Sequence, residues 1–190
     1  MSGSRHNMYY IAGRIDDESK FKAIRDDVYD HINASHNNYI KRTPHVTFVN
    51  RIKLPESYEK TVDNEIDKYN PSAIPVKAVG FSTWPSIDNP RYISLDVTAP
   101  IQAYQDEISK IIKQNEGQIL TDPPKPHITL CKCETPEDVT EHTKTQLEKL
   151  NELNFTIHTH IPYIDLLDSQ INTEKNKELN SQSPILQLND

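Results

Sequence analysis

The pattern Pro, His, apolar, Thr, apolar is written twice in this chain of 190 residues, as Pro44-His45-Val46-Thr47-Phe48 and as Pro126-His127-Ile128-Thr129-Leu130. In an extended strand, residues two apart point to the same side, so each copy sets a His and a Thr together on one face. Val46, Phe48, Ile128 and Leu130 then point the other way, toward a core. Composition alone yields one such copy on the order of a few times in a thousand; two copies are far rarer. The chain must therefore fold so that two His/Thr strands are both accommodated.

The elements around the motifs repeat as well. Met8 to Ile15 reads as a strand, and Asp16, Asp17 and Glu18 open a helix with Phe21, Ile24, Val28 and Ile32 at helical spacing. After a polar loop over Asn33 to Asn38, His45 to Ile52 is a second strand. Pro55 opens a helix with Tyr58, Val62, Ile66 and Tyr69 on one stripe, ended by Asn70-Pro71. Ile74 to Phe81 and Tyr92 to Val97 read as a hairpin. Pro100 starts a third helix carrying Ile101, Tyr104, Ile108 and Ile111, which stops near Glu116-Gly117. The second motif strand follows. Thr135-Pro136 then caps a helix through Val139, His142, Gln146 and Leu150, and Phe155 to Leu167 is a last strand run.

Each half thus reads strand, helix, His/Thr strand, helix, extra strand, with the two histidines 82 residues apart. This looks like a duplication of supersecondary units. The expected fold is α+β: two pseudo-symmetric lobes with antiparallel sheets around a central cleft and helices outside. Residues 1–170 form one domain, and 171–190, rich in Asn, Ser, Gln and Lys, form a polar flexible tail.

Charge narrows the partners. The net charge of −7 argues against sequence-blind binding to long nucleic acid, which needs many phosphate contacts. Yet His31 to Pro55 and Pro123 to Cys133 contain no Asp or Glu, where the chain average would place about five. Both windows surround a motif and carry basic residues, as a locally positive cleft for an anion would. No apolar run reaches the roughly 18 residues of a membrane span, and the N-terminus lacks the apolar core of a secretion signal. A cytoplasmic monomer is expected, with Cys131 and Cys133 reduced. The groups His127, Cys131 and Cys133, and His158 with His160, lack the usual spacing of a metal site. No metal and no cofactor are expected.

Two imidazoles flanking one phosphorus suit acid and base catalysis, because near neutral pH one can be neutral while the other is protonated. The Thr hydroxyls can donate to the non-bridging oxygens as charge builds there. At this level the chain resembles the 2H phosphoesterases, whose signature is two H-x-T/S-x motifs about this far apart, and the likeness runs from Met8 to Ser169. It implies the catalytic set His45, Thr47, His127 and Thr129, with no metal required. Members of that family often carry a basic residue shortly after a motif. Here Arg51 shares the face of His45 by strand parity, while Lys132 has the opposite parity to His127; both are candidate substrate contacts. Tyr163, on the last strand run, offers a ring for a base to stack on. The implied substrate is a short oligonucleotide or cyclic nucleotide. 2',5'-linked oligoadenylate or a cyclic oligonucleotide signal comes first, RNA 2',3'-cyclic phosphate processing second, and a non-catalytic nucleotide-binding module is a third reading.

Overall fold

Alternation of buried and half-buried residues builds the strands, and every strand pairing is antiparallel. In this computed structural model the residues described are 6–16, 18–30, 44–70, 72–85, 90–132, 141–152 and 156–169. The order is β1 (His6–Arg14), α1 (Glu18–Asp30), β2 (His45–Pro55), a short 3-10 turn at Glu56–Tyr58, α2 (Glu59–Tyr69), β3 (Ile74–Pro85) and β4 (Pro90–Thr98). It continues with α3 (Ile101–Gln114), β5 (Gln118–Ile119), β6 (His127–Lys132), α4 (Glu141–Glu152), β7 (Ile157–Ile161) and β8 (Ile164–Asp168). The expected tail over 171–190, the loop over Asn33 to Asn38 and the Thr135-Pro136 cap lie outside the described residues.

Among the described residues all eight strands belong to one sheet, ordered β7-β3-β4-β6-β2-β1-β8, with β5 alongside β2. The two motif strands, β2 and β6, are neighbours at its centre. The last strand run is not continuous: Pro162 and Tyr163 divide it, and its parts go to opposite edges, β7 onto β3 and β8 onto β1. Two residues can bridge those edges only because the sheet curls until they approach. The Asp16 N–H donates to the His160 carbonyl at 3.1 Å, fastening the end of β1 to β7. Gly13 permits the same closure, since a Cβ there would overlap the Ile161 side chain.

The pairing is an exchange between repeats. β3, which ends the first repeat, lies beside β4 of the second, and β8, which ends the second, lies beside β1 of the first. Helices follow the same rule: α1 packs on β6, α3 on β2, α2 on β8 and α4 on β3. Helix α3 buries Ile101, Gln105, Ile108 and Ile112, the spacing of one helical face. The Tyr104 ring meets Phe48 edge-on at 6.4 Å between centroids. Val46, Phe48 and Ile128 are fully buried beneath the motifs, each worth about 1.5–3 kcal/mol in apolar burial. No described helix is long and apolar enough to cross a membrane.

Candidate active site

Each motif begins with a proline for a reason visible in the ladder. Proline has no N–H to give, but its carbonyl still accepts. The Ile15 N–H donates to the Pro44 carbonyl at 3.0 Å, and the Val97 N–H donates to the Pro126 carbonyl at 3.2 Å. Both motif strands are thereby anchored, at the residue just before each begins, to the end of β1 and to β4 on their outer sides.

Val46 pairs with Ile128 across the β2–β6 junction, antiparallel. Carried one residue either way, that register sets His45 opposite Thr129 and Thr47 opposite His127. The two histidines then stand on a diagonal, about 7–8 Å apart as diagonal neighbours are, with their Cβ atoms somewhat nearer. Val46, Phe48, Ile128 and Leu130 are buried, whereas His45, Thr47, His127 and Thr129 are half-buried. Alternation therefore puts all four polar residues on the face away from α1 and α3. The structure brings the four together.

His127 is oriented by its own strand entry. Its Nδ1 lies 2.7 Å from the Lys125 carbonyl, and a carbonyl can only accept, so Nδ1 carries hydrogen. Nε2 is left to take or give a proton.

The outer neighbours of the histidines differ. Arg14 on β1 is the direct partner of His45, and Asp96 on β4 is the direct partner of His127. The Ser82 hydroxyl donates to Asp96 Oδ1 at 2.9 Å, and Lys125 Nζ lies 3.5 Å from the same oxygen. Sequence reasoning did not single out Arg14, Asp96, Ser82 or Lys125 as site residues. A signal existed: Arg14 and Asp96 each precede their motif histidine by 31 residues.

Strand parity does not connect Arg51 to His45, because two register shifts interrupt β2 between Thr47 and Ile52. Phe48, skipped by the ladder, has its carbonyl taken by buried Gln105 Nε2 at 3.0 Å. Arg51 itself has φ 47, its N–H donating to Asn50 Oδ1 at 2.9 Å and its carbonyl accepting from the Leu120 N–H at 3.0 Å. Lys132 ends β6 opposite Tyr92. Tyr163 is in the connection between β7 and β8 rather than on a strand, and it is 38% exposed. The Arg14 guanidinium carbon lies 5.7 Å from its ring centroid, so Tyr163 reaches the motif region through Arg14.

Among the described residues no group of three or more His, Cys, Asp or Glu side chains could hold a metal ion. His160 Nε2 is instead 3.1 Å from Asp16 Oδ2, and His158 pairs with Lys77 on β3. Cys133 lies outside the described residues.

No protein-family model matches the chain, and no curated protein matches it. Among solved structures it is similar to Usb1 of Kluyveromyces marxianus, at 13% identity and a TM-score of 0.48, covering 85% of this chain and 98% of that one. It is also similar to the same yeast protein solved with uridine monophosphate, at 13% identity and a TM-score of 0.44, covering 87% and 98%.

Proposed function

We propose that the cleft cleaves an RNA-type phosphodiester by general acid and base catalysis between His45 and His127. The observation that carries this reading is the Val46–Ile128 pairing, which makes the two motif strands neighbours with their polar residues on one face. One imidazole takes the proton of the attacking hydroxyl, from the adjacent ribose or from water, as the new O–P bond forms. The other gives a proton to the leaving oxygen as its P–O bond breaks. Thr47 and Thr129 donate to the non-bridging oxygens, where negative charge accumulates. Each Thr lies across from the opposite motif's His, so both hydroxyls flank the diagonal on which the phosphorus would sit.

The preferred substrate is the end of an RNA chain. The four motif residues account for one phosphate and the ribose oxygen beside it, attacking in an open end and leaving in a 2',3'-cyclic one, and an RNA end supplies both within one nucleotide. Tyr163, the ring suited to base stacking, is instead met by Arg14, so the described residues assign no contact to a run of adenines or to a cyclic dinucleotide. The order suggested by resemblance is therefore reversed, with RNA end processing ahead of 2',5'-linked oligoadenylate or a cyclic oligonucleotide signal.

The test is to incubate the purified protein, with EDTA present, with RNA ending in a 2',3'-cyclic phosphate, 3',5'-linked RNA, 2',5'-linked triadenylate and a cyclic dinucleotide. Cleavage of an RNA-end substrate at the highest initial rate is expected. No cleavage of any of the four would refute the catalytic reading, and fastest cleavage of triadenylate would restore the original order.

A further inference from the structure

We infer that Arg14, held against the ring of Tyr163, is a phosphate-binding residue of this cleft and draws the anion toward the His45 side. The inference rests on the reading of the cleft as a phosphodiester site. Direct cross-strand partners share a face with Cβ atoms about 4.5–5.5 Å apart, so the pairing of Arg14 with His45 starts both side chains from neighbouring points on one face, within reach of the same anion. Among the described residues no carboxylate lies within ion-pair distance of Arg14; its side chain is met by the Tyr163 ring at 5.7 Å. A guanidinium stacked on an aromatic face keeps its edge N–H groups available, and their planar fork matches two phosphoryl oxygens. The stack also restricts a long side chain before the anion arrives, which lowers the ordering cost of binding.

The other half supplies the contrast. The position equivalent to Arg14 is Asp96, a carboxylate already engaged by Ser82 and Lys125. A phosphate between the two histidines therefore meets a cation with no acidic partner on one flank and an acid on the other. The Tyr163 contact depends on the corner between β7 and β8 closing over β1, which Gly13 allows by leaving room for Ile161. Tyr163 is thus a positioning residue acting through Arg14.

The test titrates uridine monophosphate into the full chain by calorimetry, for wild type and for R14Q, R14K, Y163L and Y163F, with circular dichroism to confirm folding. A lost charge-assisted hydrogen bond should weaken binding about tenfold or more in R14Q. R14K keeps the charge but loses the fork, and should fall between R14Q and wild type. Y163L should weaken binding about threefold, in line with a partly exposed cation–π contact, and Y163F should restore most of that loss. Unchanged affinity in folded R14Q, equal affinities in Y163L and Y163F, or no saturable binding by wild type would overturn the inference. A wild type that cleaves no RNA-type diester yet binds uridine monophosphate in an Arg14-dependent way would refute the catalytic function while upholding the anion site. Cleavage with the same KM in R14Q would do the reverse.

Discussion

The half that carries His45 and the half that carries His127 match in their backbone hydrogen bonds and differ in the charge beside the imidazole. Pro44 and Pro126 accept from equivalent N–H groups, those of Ile15 and Val97. Past each motif, at nearly the same distance in sequence, an asparagine clamps one backbone residue. Asn70, just after α2, receives the Ile164 N–H at 2.7 Å and donates to the Ile164 carbonyl at 3.1 Å. Asn151, in α4, makes the same two bonds to Phe81 at 2.7 and 3.1 Å. Ile164 and Phe81 are themselves equivalent, since they pair with Gly13 and Leu95. Backbone groups must be satisfied in both copies whatever the protein does, which preserves these bonds. Residues at the cleft are under no such demand, and there Arg14 beside His45 corresponds to Asp96 beside His127. A reaction that takes a proton at one ring and gives one at the other uses two like groups in unlike surroundings.

The largest expected effect tests whether the halves are equally necessary. H45A and H127A should each lower kcat/KM on the preferred diester by about a hundred- to ten-thousand-fold, the usual contribution of one acid or base. T47A and T129A should each cost about ten- to a hundredfold, as one hydrogen bond to a charged acceptor is lost. Single-turnover rates with EDTA present are the measurement. A variant of one half at wild-type rate, with its counterpart inactive, would break the equivalence and reduce the site to one histidine.

A smaller effect separates the two asparagine clamps. N70A leaves two backbone groups in a part-buried site without partners, and should lower unfolding free energy by about 2 kcal/mol. N151A frees equivalent groups at a more exposed position, where water replaces the lost bonds, so about 1 kcal/mol is expected. Urea titration of each variant gives the values. A larger loss in N151A than in N70A would show that the α4–β3 half carries more of the fold's stability than its exposure implies.

Alternation and repetition were readable because both are local. The parity of His45, Thr47, His127 and Thr129 required only an unbroken strand, and the order of elements only periodicity and turn residues. The parity argument fails at Arg51 because alternation breaks just before it: Phe48 and Val49 are both buried and Asn50 and Arg51 both exposed, the latter pair held by bonds from the Leu120 N–H and the Thr121 hydroxyl to their carbonyls. The break at Pro162-Tyr163 was marked by a proline, but that β7 and β8 lie on opposite edges is a long-range fact. Tyr163 reads as a strand residue until the corner is seen. Arg14 and Asp96 were legible only as a pair, through their common 31-residue offset from the histidines; singly, each is an ordinary charged residue near a strand end.

The smallest effect concerns that charge difference. Asp96→Asn removes the acid opposite His127 but keeps an amide oxygen for the Ser82 hydroxyl. The Lys125 contact it breaks is long, 3.5 Å, and its side chains are 77% and 30% exposed, so stability should change by less than about 1 kcal/mol. Binding should respond in the other direction. With a negative charge gone from one flank of the cleft and Arg14 unchanged on the other, uridine monophosphate should bind about two- to threefold more tightly at low salt. The gain should shrink at 0.5 M salt, where exposed charges are screened. Turnover need not rise, because a tighter hold on the ground state does not lower the barrier. Weaker binding in Asp96→Asn would show that the carboxylate contacts the nucleotide as an acceptor, for a ribose hydroxyl for instance, and that the two flanks divide the substrate between phosphate and sugar instead of opposing each other on one anion.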